Sequence, residues 1–338
     1  MLEIKGDYLE GGGQIIRTAL ALSIITQKPF TIKDIRKNRK ETGLKEQHLQ
    51  TVKAAAKLCN AKVEGGELGS TELSFTPRKI ANTNLEVNIS TAGSTALVLQ
   101  SLLIAGVKNN LNIHIKGGGT WNQNASSIPY FQKVLIPSLE KLGYNVKIET
   151  ILHGFYPKGG AELKITTQKA NLKSLNLTER GKLNSIKCYS YASADLQKRK
   201  VAERQSDAAR KTLFDYDLAI CNKYFPSFST GSGILIVAEF ENTILGFDVV
   251  GEKNKTAEMV GEEVALGFKM QMDSEATVDE FMSDQILPYL ALAKGKSSIK
   301  VPELTKHAET NIWLIKQFLN VDFLIKNNSV YVNPKEYI

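Results

Sequence analysis

Cysteine is scarce in this chain: Cys59, Cys188 and Cys221 are scattered over 338 residues. That spacing excludes a disulfide framework and a cysteine-based zinc site. Only four histidines are present, and H-E-x-x-H does not occur. Zinc-protease chemistry has no motif to stand on. G-x-S-x-G is also missing, as is a G-x-G-x-x-G that follows a strand and opens a helix. The nearest approach to a P-loop, LALAKGKSS, has Leu290 where the first glycine must stand. Hydrolase-elbow, dinucleotide-fold and P-loop chemistry are disfavoured together. Long apolar runs are absent. The most apolar stretch, Ala96 to Val107, is interrupted by Gln100 and Ser101, and a membrane span needs about 20 residues. The start, MLEIKGDYLEGGG, lacks the apolar region of a secretory leader. The expected compartment is the cytoplasm.

What is there is ordinary globular material. Hydrophobic residues make up 42% and charged residues 23%, which is ample for a core. The length suggests about two domains. Forty-three basic against 35 acidic residues leave a net charge of +8. That excess permits a polyanionic partner without requiring one.

Two early segments share an order of elements. The first is predicted as strand (Leu2 to Ile4), Gly-rich turn, helix (Gln14 to Thr26), strand (Phe30 to Ile35), helix (Lys45 to Leu58) and two strands. The helix from Gln14 places Ile16, Leu20 and Ile24 on one face. The second runs from a strand at Leu85 to Ile89 through a helix (Ser94 to Gly106), a strand (Leu111 to Ile115), a Gly-rich turn (Gly117 to Gly119) and a helix (Ile128 to Leu142), and ends in two strands (Val146 to Glu149, Ala161 to Thr166). A partial third copy starts with a helix at Asp284 to Ala293 and includes another at about Lys306 to Leu319. The fold class is therefore α/β (α+β), with three βαβαββ repeats and mixed sheets. A different unit, about Gly181 to Asp273, separates copies two and three. It is predicted as strand, helix (Val201 to Tyr216), two strands and a long helix (Thr256 to Met270). Residues 1–180 and 274–338 then form one large domain, and 181–273 a small inserted one.

Several residues are candidates for chemistry, each with a plainer alternative. Thr305 is a suitable N-cap, which puts His307 in the first turn of a helix. There the helix field favours a neutral imidazole and an incoming phosphate; the alternative is a surface histidine. Glu10-Gly11-Gly12-Gly13-Gln14-Ile15-Ile16-Arg17 is a glycine turn opening a helix. Glu10 can ligate a metal and Arg17 can pair with a phosphate, or both are solvated charges on a tight turn. Arg36-Lys37-Asn38-Arg39-Lys40, followed by Lys45, Gln47 and His48, is either a phosphate-holding loop or a solvated charge run. Gln100 interrupts an apolar run, and satisfies itself internally or touches a ligand. Phe281-Met282-Ser283-Asp284-Gln285 could receive a nucleobase, or be core plus a helix cap.

In order along the chain, LEGGGQIIRTALALS, IRKNRKETGLKEQHLQTVKAAA, AGSTALVLQSLL, HGFYPKGGAE, VVGEKNKTAE, DQILPYLALA and HAETNIWLIKQFL resemble the RNA 3'-terminal phosphate cyclases. The resemblance covers essentially the whole chain. It implies three repeats similar to the C-terminal domain of translation initiation factor 3, plus an inserted domain of thioredoxin-like topology. It implies ATP-dependent conversion of an RNA 3'-phosphate into a 2',3'-cyclic phosphodiester, through a covalent histidine–AMP and an RNA-ppA intermediate. His307 occupies the place of the adenylylated histidine. Gln100 and Phe281, Met282, Ser283, Asp284 and Gln285 occupy the nucleotide pocket. Glu10 takes the glutamate position near metal and phosphates, with Mg2+ expected and Mn2+ the alternative. Arg17, Arg36, Arg39 and Gln47 fall on phosphate- and RNA-binding positions. ATP and RNA with a 3'-terminal phosphate are the expected partners; the sequence leaves the oligomeric state open, a homodimer being one option. The second glycine turn departs from the family's G-G-T-D, reading Gly118-Gly119-Thr120-Trp121; Phe281 stands where many members have Tyr, and Thr42 where a Pro is common. Two other readings compete. A non-catalytic rRNA-processing relative lacks the histidine that His307 supplies. An enolpyruvyl transferase has more repeats and no inserted unit.

Overall fold

The structure is a computed structural model and describes residues 1–336. The first unit is β1 (Leu2–Lys5), α1 (Gln14–Thr26), β2 (Phe30–Lys33), α2 (Glu46–Cys59), β3 (Lys62–Glu64) and β4 (Leu73–Thr76). Its strand order is β1-β2-β4-β3, with the first pair parallel and the others antiparallel. Parallel neighbours need a crossover and antiparallel ones only a hairpin, so α1 crosses over the sheet and β3–β4 close it.

The second unit repeats this order: β5 (Asn84–Ser94), α3 (Thr95–Ala105), β6 (Leu111–Gly119), α4 (Ile128–Tyr130), α5 (Ile136–Lys141), β7 (Val146–Leu152) and β8 (Glu162–Thr167), in sheet order β5-β6-β8-β7. The helix expected over Ile128 to Leu142 is not uniform. A π-helical turn, Phe131–Leu135, separates α4 from α5. Pro137 has no N–H for the carbonyl four residues back, so the regular ladder cannot continue there. The glycines Gly117 and Gly118 lie within the end of β6 rather than in a separate turn, both at positive φ.

Next come β9 (Leu183–Ser193), α6 (Val201–Thr212), β10 (Leu218–Phe225), β11 (Ser232–Phe240), β12 (Ile244–Val250) and α7 (Ala257–Asp273). These strands form their own sheet, β10-β9-β11-β12. Strand β12 went unrecognised in the sequence because Gly246 and Asp248 are poor strand formers. Antiparallel pairing with β11 forms it anyway. Helices α6 and α7 cover one sheet face, with Ala209 of α6 and Val260, Val264 and Phe268 of α7 in one cluster with Ile234 and Ile236. Each such burial is worth roughly 1.5–3 kcal/mol. The opposite face gives Tyr191, Leu235 and Val237 to the main core.

The chain ends with α8 (Met282–Gln285), α9 (Leu287–Leu292), β13 (Ser297–Lys300), α10 (Lys306–Phe318), β14 (Val321–Lys326) and β15 (Ser329–Pro334). The single helix expected from Asp284 to Ala293 is two short ones, broken at Ile286 ahead of Pro288. The third sheet, β13-β15-β14, lacks a leading strand of its own. Residues 173–177 fill that place. Asn176 bridges Ser298 in parallel, and Leu177 N–H donates to the Ser298 carbonyl at 2.8 Å. The β9–α7 stretch lies in sequence between residues 173–177 and helices α8 and α9.

Trp121, 2% exposed, packs edge-on to Tyr191 across the seam between the β5–β8 and β9–β12 sheets. Gly233 of β11 makes room for it: a Cβ there would lie 2.3 Å from the indole. Gly233→Ala is expected to cost roughly 1–3 kcal/mol, the usual overpacking penalty. A urea titration against wild type checks this, and an unchanged midpoint would refute the packing argument.

Candidate active site

Helix α1 packs between α3 and α10, and three polar contacts bind it to its neighbours. Thr18 Oγ1 donates to Asn311 Oδ1 at 3.0 Å, and Ser101 Oγ donates to the Arg17 carbonyl at 2.9 Å. Gln14, the first residue of α1, makes the third. Its amide nitrogen donates to the His307 carbonyl at 2.8 Å and to Asp284 Oδ2 at 3.2 Å, and its oxygen meets His307 Nδ1. With the nitrogen so occupied, the oxygen must accept, so Nδ1 carries the ring proton. In the neutral ring the lone pair then sits on Nε2.

Thr305 caps α10, its Oγ1 accepting from Ala308 N–H at 3.1 Å, as the sequence suggests. His307 follows in the first turn. Nε2 is 3.0 Å from Glu10 Oε2, and Arg39 Nη2 lies 3.1 Å from that same oxygen. Stacking of Tyr8 on Trp313, centroids 4.0 Å apart, ties the Glu10 loop to α10. The His307 pKa is held below the ordinary imidazole value. Burial is the main cause, Arg17 and Arg39 add to it, and Glu10 opposes it. The balance of these causes favours the neutral ring over the imidazolium.

Arg17 is buried deeply enough that its pKa falls to about 10, with Asp284 pulling it back up. It remains charged, and its Nε has no partner. Burial pushes Asp284 up to about 7, which Arg17 partly counters. The break in the helix before Pro288 has a use here. Pro288 cannot donate to the Asp284 carbonyl, which accepts instead from Asn311 Nδ2 at 2.9 Å. His48 is 2% exposed and driven down to about 3, by burial first and then by Arg17, Arg36 and Lys45. A Cβ on Gly13 would collide with its ring at 2.0 Å, so the glycine turn and α2 meet there in contact.

A cavity of about 700 Å³ opens beside His307. Arg17, Gln100, Phe281, Asp284 and Gln285 line it, together with Phe247 and Asp248 of β12. Phe281 sits edge-on to Tyr130 at 5.7 Å and tilted on Phe247 at 5.2 Å. Gln285 Nε2 donates to Ser126 Oγ at 3.0 Å, and its Oε1 is buried without a partner. The space is of the size that takes a nucleotide.

Of the residues singled out in the sequence, His307, Glu10, Arg17, Arg39, Gln100, Phe281, Asp284 and Gln285 converge on this place. Met282 and Ser283 turn away from the cavity. Met282 is in the core, and the Ser283 hydroxyl donates to the Glu280 carbonyl at 2.6 Å. Arg36 adopts a left-handed backbone at φ 56 and contributes its field to the His48 pocket. Gln47 stands beside Gly93 on the first turn of α2, outside the cavity lining. Sequence reasoning passed over Gln14, Asn311 and Asp248. Gln14 was visible only as a helix start. Asn311 follows His307 by four residues, one helical turn away on the same face. No local pattern marks Asp248.

The family model for RNA 3'-terminal phosphate cyclase matches residues 8–325. The chain belongs to the RNA 3'-terminal phosphate cyclase family. A cyclase so named from Sulfurisphaera tokodaii is 43% identical over 337 residues, covering 98% of each chain. One from Saccharolobus islandicus is 41% identical over 325 residues, covering 95% of each. One from Caldivirga maquilingensis is 41% identical over 349 residues, covering 99% of this chain and 98% of that one. A solved structure, the enolpyruvyl transferase NikO from Streptomyces tendae, overlaps 98% of this chain and 81% of that one with 7% identity and a TM-score of 0.25. That is too remote a likeness to speak to the fold. Among the described residues, no helix is long and apolar enough to cross a membrane.

Of the charged groups that act on the His307 ring of this cyclase-family chain, Glu10 is the one that favours the protonated form. Glu10→Gln should therefore move the imidazole titration, followed by NMR, to lower pH than in wild type. A move to higher pH would show that the carboxylate does not act on Nε2.

Proposed function

We propose that the chain converts an RNA 3'-terminal phosphate to a 2',3'-cyclic phosphodiester at the expense of ATP, with His307 as the nucleophile. The observation that carries the reading is the clamp on that ring. Nδ1 is committed to Gln14, so Nε2 is the nitrogen left to attack, beside Glu10 at the edge of a nucleotide-sized cavity. The sequence kinship with cyclases supplies the reaction class.

Three transfers follow. Nε2 attacks the α-phosphorus of ATP, a P–N bond forms, and pyrophosphate departs with the electrons of the broken P–O bond. An oxygen of the RNA 3'-phosphate then attacks the adenylate phosphorus. The P–N bond breaks, its electrons return to Nε2, and an RNA-ppA anhydride forms. Last, the adjacent ribose 2'-OH attacks the 3'-phosphorus and gives up its proton to solvent, and AMP leaves with the electrons of the broken anhydride P–O bond. Nucleophile and phosphorus share one ribose, so proximity lowers this barrier. The requirement for a 2'-OH restricts the reaction to RNA. Gln14 holds the imidazole to one tautomer throughout, while Arg17, Arg39 and Arg36 offset charge on the phosphoryl oxygens. Gln100, Phe281, Asp284 and Gln285 would enclose the nucleoside.

Glu10 fits a hard divalent cation, Mg2+ or Mn2+, as a single carboxylate ligand. Among the described residues no cluster of three metal-ligating side chains exists, so phosphate oxygens and water would complete the shell, as Mg2+ prefers. When bound, the ion would neutralise phosphate charge that the arginines leave uncovered. The β1–β4, β5–β8 and β13–β15 units would be repeats like the C-terminal domain of translation initiation factor 3, and residues 181–273 a thioredoxin-like insertion into a domain made of 1–180 and 274–338. A cytoplasmic location suits the substrates.

The test is incubation with ATP labelled at the α-phosphate and Mg2+, followed by a denaturing gel. Label on wild type, lost in acid and stable in alkali, is expected; His307→Ala should carry none. Gln14→Ala should label more slowly, on the order of 100-fold, since a misplaced reacting ring loses about that much. Wild type that stays unlabelled while binding RNA would overturn the covalent reading in favour of an rRNA-binding relative.

A further inference from the structure

Asp279 lies just before the nucleotide segment, and none of the chemistry above uses it. The side chain is 0% exposed. It accepts three hydrogen bonds from three parts of the chain. Tyr130 O–H donates to Oδ1 at 2.6 Å and Met282 N–H to the same oxygen at 2.8 Å; Gly246 N–H donates to Oδ2 at 2.8 Å. Tyr130 belongs to the second repeat, Gly246 to edge strand β12 of the inserted sheet, and Met282 to α8. A buried carboxylate is costly unless its oxygens are satisfied, and here the donors come from all three sides of one seam.

The consequence falls on Phe281. Its ring is held between Tyr130 and Phe247. Tyr130 is tied to Asp279 through its hydroxyl, and Phe247 follows Gly246, which is tied through its N–H. Both neighbours of Phe281 thus take their positions from one side chain. The seats are fitted closely. A Cβ on Gly246 would lie 2.6 Å from Val134 Cγ2, and one on Gly267 would lie 2.2 Å from the Phe247 ring. Phe247, Phe281 and Asp248 line the cavity beside His307, so the inserted sheet forms one of its walls only while β12 is held against α4.

We propose that Asp279 is a positioning residue for nucleotide binding, locking strand β12 of the inserted unit and Tyr130 around Phe281 so that the cavity has the shape of its ligand. The inference rests on the reading of that cavity as the ATP site. It gives the inserted unit a part in the reaction: it closes the nucleotide pocket.

Asn in place of Asp279 keeps the volume but offers one accepting oxygen where two are needed. Either Gly246 N–H or Met282 N–H is left facing an amide NH2. The experiment measures two quantities on Asp279→Asn: the dissociation constant of α,β-methylene-ATP by calorimetry, and the ATP dependence of covalent labelling. Expected are an affinity about tenfold weaker, with KM for ATP raised alike, and a labelling rate at saturating ATP within about twofold of wild type. Tenfold corresponds to about 1.4 kcal/mol. Tyr130→Phe removes one of the three donors and should show the same split at about threefold. Affinity within error of wild type in Asp279→Asn overturns the proposal, whatever the melting temperature does. If Asp279→Asn does not fold, unchanged affinity in Tyr130→Phe overturns it instead. Wild type that binds the analogue but never becomes labelled defeats the covalent mechanism alone, and the affinities still judge Asp279. Wild type that binds no nucleotide defeats both.

Discussion

The side-chain amide of Gln14 joins the three segments from which the site is made. It begins α1, reaches the first turn of α10 through both the ring and the carbonyl of His307, and touches Asp284 at α8. An amide is suited to this because it donates and accepts at once. A carboxylate there could not donate to the His307 carbonyl, and a lysine could not accept from Nδ1. The choice of tautomer, the side of the ring that carries the lone pair, and the spacing of α1 from α10 all follow from one group. The helix packing around it would bring His307 close to α1 in any case, but only a hydrogen bond of defined direction orients the imidazole.

Electrostatics then sets what that ring can do. Arg17 is charged although buried, and Asp284 beside it is pushed towards neutrality by the same burial. The local field is accordingly positive and incompletely paired, as a site for phosphates has to be. His48 lies within this field and cannot take a proton near neutral pH. His307, further out and faced by Glu10, is less extreme but moves in the same direction. Glu10 is the counterweight. It holds Arg39 and the open face of His307 together, and it is the carboxylate through which a divalent cation could couple to both.

The architecture distributes these groups over all parts of the chain. The β1–β4 unit gives Glu10, Gln14, Arg17 and Arg39, the β5–β8 unit gives Gln100, and helices α8 and α10 give Asp284, Gln285 and His307. The β9–β12 sheet adds Phe247 and Asp248 from an edge strand. A cavity built at such a junction needs its walls located relative to one another, since side chains from separate sheets have no covalent reason to keep register. Buried polar contacts at the seam, among them Asp279 to Tyr130 and Gly246 and Asp248 to Ser127 N–H at 2.7 Å, serve that purpose with a direction that apolar packing lacks.

Much of this was legible along the chain. Apolar periodicity located α1, α2, α3 and α10 to within a residue or two, because their buried faces repeat at the helical period. The capping threonine at 305 and the blocks around Glu10, Gln100, Asp284 and His307 were local patterns, and local patterns can be read without knowing the fold. Prolines at 137 and 288 interrupted two helices that periodicity alone had made continuous, since a missing N–H changes the ladder but not the hydrophobic pattern. Strand β12, with Gly246 and Asp248 in it, exists because β11 and α4 flank it. Residues 173–177 act as a strand because β13 lies beside them. The amino-acid order determined which residues could carry the chemistry; tertiary structure alone decided which nitrogen of His307 faces Glu10, which charges are buried, and which strand walls the cavity. Those properties depend on partners up to 293 residues away in sequence, and a hydrogen bond or a desolvated charge is defined by its surroundings in space.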